Sequence, residues 1–338
     1  METKSATVFV IAEQGEGGIQ PVSLQLVGKA RQLADELGSK VGAVLLGQNL
    51  TKGAHELIAA GADIVFQGDS DLLVPYQAEL FTEIIVKLLV EHHPEILLIG
   101  STFMGRELAP LIAAKLETGL TAHCIDLVIS SEGILEQKIP AYGGMITIVC
   151  PEKRPQMATV ANGVFSNPAL NTTRSGEIIS IDVPNEFPLR VQTLEIVKEK
   201  SEGVYLESAS VIVAGGAGAG DHDGWCQIAE LAEVLNAGLG STRPAVDAGW
   251  TKLETMIGQS GKMVSPEVYI GIGISGELQH MVGIVRAKVM IAINNDAKAP
   301  VFEQVDYGVV EDCRVFVPAL VKALKNKESY IGRATHVI

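Results

Sequence analysis

The sequence predicts an α/β fold of two domains, each a mainly parallel sheet with flanking helices. Three observations carry this reading. At 338 residues the chain exceeds what a single core usually holds. Hydrophobic residues make up 47% of it and aromatic ones only 5%, so the interior is built from Ala, Val, Ile and Leu, which suits parallel strands covered on both faces. Apolar runs of strand length alternate with amphipathic helical stretches over the first hundred residues, and again after Ser210.

The elements follow in order. Thr7 to Ala12 is an apolar strand. From Val22 to Leu37 the apolar residues Val22, Leu26, Ala30, Leu33, Ala34 and Leu37 recur at helical spacing, and Gly38 stops the helix. Val41–Leu46 is a strand, His55–Ala60 a helix, Asp63–Phe66 a strand and Gln77–His93 a long helix closed by Pro94; Ile96–Ile99 is the next strand. Repeated β-α-β units of this kind imply right-handed crossovers and a parallel sheet. Gly100-Ser-Thr-Phe-Met-Gly-Arg-Glu-Leu then leads into a helix ending before Thr118. Beyond Thr121 the runs Cys124–Ile129, Met145–Cys150, Gln156–Val160 and Ile178–Val183 predict extra strands extending the first sheet. Residues 185–209 mix Pro, Glu, Lys and Ser and read as a linker, placing the domains at 1–195 and 205–338.

The second domain opens with a strand, Val211–Ala214, that runs into Gly215-Gly216-Ala217-Gly218-Ala219-Gly220. A helix from Trp225 to Leu235 and the segment Gly240–Val246 follow, and a terminal helix spans Pro318–Lys325. Between them lies the most informative window. A strand starting at Val268 meets Gly271, Gly273 and Gly276, a full G-x-G-x-x-G, then a short helix, then a strand from Lys288 to Ile293. This is the context a Rossmann-like dinucleotide fingerprint requires, with glycines for close backbone approach and a helix start offering N–H groups to a pyrophosphate. Asn294, Asn295 and Asp296 end the second strand where such folds place a ribose contact.

Composition narrows function. A formal charge of −14 argues against nucleic acid and anionic membrane as partners. Cys124, Cys150, Cys226 and Cys313 are scattered with no C-x-x-C, so they read as free thiols of a reducing, cytoplasmic setting, with no metal site. No apolar run reaches membrane-spanning length, and the N-terminal residues lack a signal-peptide layout. Neither a Ser-His-Asp or Cys-His order nor a pair of carboxylates stands out. Arg243 has two readings, a fork onto a phosphate or π system and an interface salt bridge with Asp247 or another carboxylate. Donors, glycines and one histidine, His280, near a nucleotide fingerprint describe a cofactor holder more than a catalyst.

At these residues a resemblance becomes specific. Thr242-Arg243-Pro-Ala-Val-Asp-Ala-Gly-Trp, Gly258-Gln259-Ser260-Gly261-Lys262, Gly273-Ile-Ser275-Gly276-x-x-Gln279-His280, Ala292-Ile-Asn294-x-Asp296 and Ala299-Pro300-Val-Phe…Asp306-Tyr307-Gly308 resemble the signature of electron transfer flavoprotein α subunits. In the first domain Gly105-Arg106-Glu-Leu-Ala-Pro, Thr118-Gly119-Leu-Thr-Ala and Pro155–Val160 resemble the same family. The resemblance implies a heterodimer with a β subunit that docks on the first domain, and one FAD in the second. It implies electron exchange with acyl-CoA or related dehydrogenases, in some relatives by electron bifurcation, and no substrate chemistry of the chain's own. Carried over, it gives Thr242 and Arg243 contact with FAD, Arg243 as a desolvated cation near the isoalloxazine. Gly258, Gln259, Ser260 and Gly261 line the ring, with the Ser260 hydroxyl near N5. Ser275 and Gly276 serve the pyrophosphate. Gln279 and a protonated His280 lie beneath the ribityl chain and ring, and Asn294 and Asp312 hold the adenosine end. The chain departs from the family at Ala217 and Ala161, where arginine is usual, at Thr242 for the usual Ser and at Ser260 for the usual Thr. A second reading from the same fingerprint is an NAD-dependent dehydrogenase, and a third a flavin-free scaffold.

Overall fold

The computed structural model describes residues 6–15, 17–141, 144–188, 190–197 and 204–334, and the chain divides into two compact units, Met1–Val197 and Lys198–Ile338. In unit 1 the chain runs β1 (Ala6–Ala12), a small hairpin of β2 (Gln14–Gly15) and β3 (Gly18–Ile19), α1 (Pro21–Leu37), β4 (Lys40–Gly47), α2 (Thr51–Ala60), β5 (Ile64–Asp69), α3 (Ala78–His92), β6 (Ile96–Gly100) and α4 (Phe103–Lys115). Helix α1 ends as its sequence requires: Gly38 is left-handed at φ 60° and its N–H returns to Ala34 and Asp35 carbonyls. There follow β7 (Leu120–Cys124), β8 (Asp126–Ile129), β9 (Leu135–Ala141), β10 (Gly144–Ile148), β11 (Gln156–Val160) and β12 (Glu177–Ser180).

Seven strands form one sheet in the order β12-β5-β4-β1-β6-β11-β7, every pair parallel. Phe9, Val44, Leu80, Ile85, Leu97 and Ile112 pack its core. The expected extra strands therefore extend the sheet only in part. β7, β11 and β12 join it, but β8, β9 and β10 pair antiparallel in a sheet of their own. The run read as Cys124–Ile129 is two strands because Cys124 pairs with Val160 in one sheet while Asp126 pairs with Lys138 in the other. At the carboxyl ends of β1 and β6, Glu13 lies buried, and its carboxylate accepts the Thr102 hydroxyl at 2.7 Å. Burial raises its pKa to about 7.

Unit 2 runs β13 (Val211–Gly215), α5 (His222–Val234), β14 (Gly238–Ser241), α6 (Arg243–Asp247), β15 (Val268–Ile272), α7 (Leu278–Met281), β16 (Val289–Asn294), β17 (Tyr307–Val310) and α8 (Cys313–Ala334). Its five strands are all parallel, in the order β14-β13-β15-β16-β17. The chain therefore turns outward in opposite directions at β13 and β15, and ligands of open α/β sheets bind outside the carboxyl ends of strands at such a switch point. Val213, Ile228, Leu231, Ile272, Ile293 and Val317 fill the core around it. The terminal helix begins at Cys313, five residues before the expected start, with Pro318 inside it. Among the described residues no helix is long and apolar enough to cross a membrane.

Candidate functional site

A cavity of about 690 Å³ opens at the carboxyl ends of the unit 2 strands, within the size range of small-molecule and cofactor sites. Every strand but β17 sends a lining segment to it. The loop after β13 gives Gly216, Ala217 and Gly218; the end of β14 gives Thr242, Arg243 and Pro244; the loop after β15 gives Gly273, Ile274 and Ser275; and Asn294 and Asp296 follow β16. Met256 to Gly261, with Gln279 and His280, complete the wall.

The glycines hold two of these loops against each other. The Gly216 N–H donates to Ile272 O and the Gly218 N–H to Gly273 O, both at 2.9 Å. Gly273 is left-handed at φ +61°, and a Cβ there would sit 2.7 Å from the Gly218 backbone, so neither loop has room for side chains at this crossing. Gly276, at φ +93°, lies against the Val301 backbone, so its need for glycine comes from packing on the 299–302 turn as well as from its conformation.

Two features mark the cavity as built for a polar ligand. The Thr242 N–H is bonded to Gly215 O at 3.0 Å, but the buried Thr242 hydroxyl has no hydrogen-bond partner. Such a group costs free energy until something meets it. Among the described residues, the N–H groups of Ile274, Ser275 and Gly276 also meet no acceptor in the chain. These donors sit beside the glycine crossing, where a phosphate chain can approach the backbone. The residues present therefore fit a dinucleotide cofactor. The expected helix contribution is smaller than the fingerprint suggests, because α7 has only 4 residues and sums few peptide dipoles.

His280 departs from its expected protonated state. Its Nδ1 is 2.9 Å from Ile257 O, which can only accept, so Nδ1 carries the proton. Its Nε2 is 2.6 Å from Tyr269 Oη and accepts the phenol proton. Tyr269 is buried too, and burial of the imidazole lowers its pKa to about 4, against a smaller upward pull from the Ile257 carbonyl. The ring is a neutral brace between β15 and the 256–261 loop, with both nitrogens engaged. The acid–base group that a dehydrogenase reading needs is thus absent from His280.

Arg243 also differs from expectation. Its side chain is 65% exposed, and its Nε donates to Asp247 Oδ1 at 2.7 Å one turn along α6. The cation sits at the rim of the cavity, paired and hydrated, in place of the desolvated charge expected near the ring. Asn294 directs its amide at the backbone: Nδ2 donates to Ile274 O and Oδ1 accepts the Asp296 N–H, each at 2.9 Å. It ties the loops after β15 and β16 together more than it offers free donors to a ligand.

Of the residues expected at a cofactor site, Thr242, Arg243, Gly258, Gln259, Ser260, Gly261, Ser275, Gln279, His280 and Asn294 line this one cavity. Gly276 lies one residue behind Ser275, and Asp312 stands before α8, where its carboxylate accepts the Arg314 N–H at 2.9 Å. Ala299 and Pro300, from one of the matched segments, also line the cavity, whereas Met256 and Ile257 were not legible, since single aliphatic residues outside a motif look the same in a core and in a ring pocket. Glu277 and Asp296 add two carboxylates to the lining. Among the described residues no group of His, Cys, Asp and Glu is arranged to hold a metal ion.

Comparison with known proteins bears on the same residues. Residues 8–186 match the Electron transfer flavoprotein domain and residues 205–285 the Electron transfer flavoprotein FAD-binding domain. The chain is 44% identical over 321 residues to the electron transfer flavoprotein subunit alpha of Thermoanaerobacterium thermosaccharolyticum, spanning 94% of this chain and 97% of that one. It is 43% identical over 325 residues to protein FixB of Clostridium saccharobutylicum, spanning 94% and 96%. It is 35% identical over 349 residues to the acryloyl-CoA reductase electron transfer subunit beta of Anaerotignum propionicum, spanning 94% and 95%.

Proposed function

The chain belongs to the electron transfer flavoprotein α-subunit family, and from that premise we propose that it is the FAD-holding subunit of a heterodimeric electron carrier, paired with a β subunit. Bound FAD supplies reversible one- and two-electron chemistry at its isoalloxazine. The chain's own residues bind and orient it. The N–H groups of Ile274, Ser275 and Gly276 and the Thr242 hydroxyl would meet the pyrophosphate and neighbouring polar atoms. Met256, Ile257 and Ile274 would exclude water from the ring, and Gln259 and Ser260 at the open rim present polar side chains toward it. His280 holds the ring-side loop in place through Tyr269 and Ile257 O. The observation that carries the reading is the unpartnered Thr242 hydroxyl, buried in a cavity whose lining holds ten of the expected residues and lies at the sheet's switch point.

The domain division at 1–195 and 205–338 belongs to the same proposal, with β-subunit docking assigned to the first part and FAD to the second. Two of the relatives named above are electron-transfer subunits, one of them for acryloyl-CoA reductase, which supports a dehydrogenase or reductase of the acyl-CoA class as the electron partner. All four cysteines are free thiols, in keeping with a reducing, cytoplasmic compartment.

Purification with the β subunit tests this. A yellow complex with FAD, reduced by an acyl-CoA dehydrogenase in the presence of its substrate, is the expected result. The flavin count then separates a simple carrier, with one FAD per heterodimer, from a bifurcating one with two that is also reduced by NADH. A colourless complex that binds NADH alone overturns the proposal.

A further inference from the structure

The glycine loop after β13 lines the cavity with Gly216, Ala217 and Gly218, yet it carries no side chain beyond a methyl to hold it in place. Its position rests on backbone partners. The Gly218 N–H is held by Gly273 O at 2.9 Å. The Gly218 carbonyl turns the other way and accepts the Cys313 thiol at 3.2 Å. Cys313 is the first residue of α8 and is buried in the unit 2 core with Val213, Ala219, Ile228 and Val317. We propose that Cys313 is a positioning residue of the cofactor cavity, its thiol fixing the Gly218 carbonyl away from the ligand; this rests on the FAD reading above.

The physical reason is the orientation of one peptide. Gly218 has little intrinsic preference for any backbone conformation, and the Gly218–Ala219 peptide is held by the thiol on its carbonyl side and by the Ala219 N–H on Gly216 O at 3.1 Å, so releasing the carbonyl leaves that single bond to keep the peptide from tilting. A rotated carbonyl would turn its oxygen toward a dianionic pyrophosphate, and the repulsion would weaken binding. The thiol prevents this from the core side without touching the cavity. It must be protonated to donate, and burial, with Asp312 next, raises the pKa of this thiol above its ordinary value. Arg314 closes the same turn, with Nη1 3.9 Å from Asp221 Oδ2 beyond the loop.

The test uses the α/β complex with the variants Cys313→Val, Cys313→Ser and Cys313→Ala. FAD dissociation constants and flavin-free melting temperatures are read for each. Val fills the site with one methyl more than the thiol and loses the donor, Ala loses both donor and volume, and Ser keeps a donor. Loss of one neutral hydrogen bond should weaken FAD binding by roughly three- to tenfold in Cys313→Val, with its melting temperature near that of the parent. Cys313→Ser should bind FAD within about twofold of the parent, and Cys313→Ala should lose both affinity and thermal stability. If Cys313→Val holds FAD as tightly as the parent, the residue merely fills space and the inference is wrong. If the parent complex holds no FAD at all, the reading beneath it fails first, and the two failures are told apart by that control.

Discussion

At the scale of single residues, the sign of an effect separates a ligand site from a packing site. The Thr242 hydroxyl is buried with nothing to bond, so it destabilises the flavin-free fold. Thr242→Val should raise the stability of the flavin-free protein by about 1 kcal/mol and weaken FAD binding by up to about tenfold, which denaturant titration and flavin retention measure together. A residue that served only the fold would move both quantities the same way. Arg243 makes the complementary case. Its ion pair with Asp247 is exposed on both sides, so Arg243→Ala should cost less than about 1 kcal/mol of stability. A cation at the rim favours added negative charge on a bound flavin, so the same change should lower the midpoint potential. Asp247→Asn should raise it, because the guanidinium loses its counter-charge. Potentials that move together in both variants, or not at all, would remove Arg243 from the electrostatics of the site. The sequence offered Asp247 as one of the carboxylates Arg243 could pair with. The exposure of the pair was not legible there, because periodicity tells which residues meet but not how much water surrounds them.

Among the elements, the loops after β13 and β15 decide whether the cavity exists. Gly276 and Gly249 are both left-handed, at φ +93° and +73°, but a Cβ on Gly249 meets nothing within 4 Å while one on Gly276 collides with the Val301 backbone. Gly249→Ala should therefore cost only the backbone conformation, roughly 1–2 kcal/mol. Gly276→Ala adds a displaced turn; it should cost more than Gly249→Ala in thermal melting and release flavin, whereas Gly249→Ala keeps it. Equal losses would mean that φ alone matters at both sites. Much of this layer was legible. Gln156–Val160 is a strand to the residue, and the fingerprint strand, short helix and second strand stand where the glycine spacing placed them. The misplacements share a cause: a local signal was assigned to one role when the fold uses it in another. Asp221, just past the glycine run, is the N-cap of α5, its carboxylate accepting the Gly224 N–H at 2.9 Å, so the helix starts at His222 and not at Trp225. Pro318, read as a helix start, lies inside α8, where core packing of Cys313, Val317 and Val321 carries the helix through it. The separate antiparallel sheet of β8, β9 and β10 was missed because the sequence of a strand does not name its partner.

In the molecule as a whole, each unit carries a buried titratable group, Glu13 in one and His280 in the other, and these two shifts oppose one another. The alternation of strands and helices announced two parallel sheets, but strand order, and with it the depth at which Glu13 and His280 lie, comes from crossovers that no local pattern encodes. His280 in unit 2 has its pKa lowered to about 4 by burial. As pH falls from its ordinary value of about 6.5 toward 4, the unfolded chain takes up a proton that the folded ring refuses, so unit 2 loses stability across that window. Glu13 in unit 1 has its pKa raised to about 7, also by burial. As pH rises from 4.5 toward 7 the unfolded chain releases a proton that the folded carboxyl retains, so Glu13 makes unit 1 lose stability as pH climbs, against an opposite contribution from His123, whose pKa burial and Arg106 lower. Urea unfolding of the flavin-free chain tests the pair, because both tryptophans, Trp225 and Trp250, lie in unit 2 and report it alone. The fluorescence midpoint should rise between pH 4.5 and 6.5, while in a His123→Gln background, which removes the opposing histidine of unit 1, the part of the ellipticity change that fluorescence does not follow should shift to lower urea over the same range. His280→Gln should flatten the first slope and leave the second, and Glu13→Gln should do the reverse. Slopes of one sign in both signals, or a Glu13→Gln variant that changes the fluorescence transition, would mean that these two groups do not set the pH response of the units that hold them.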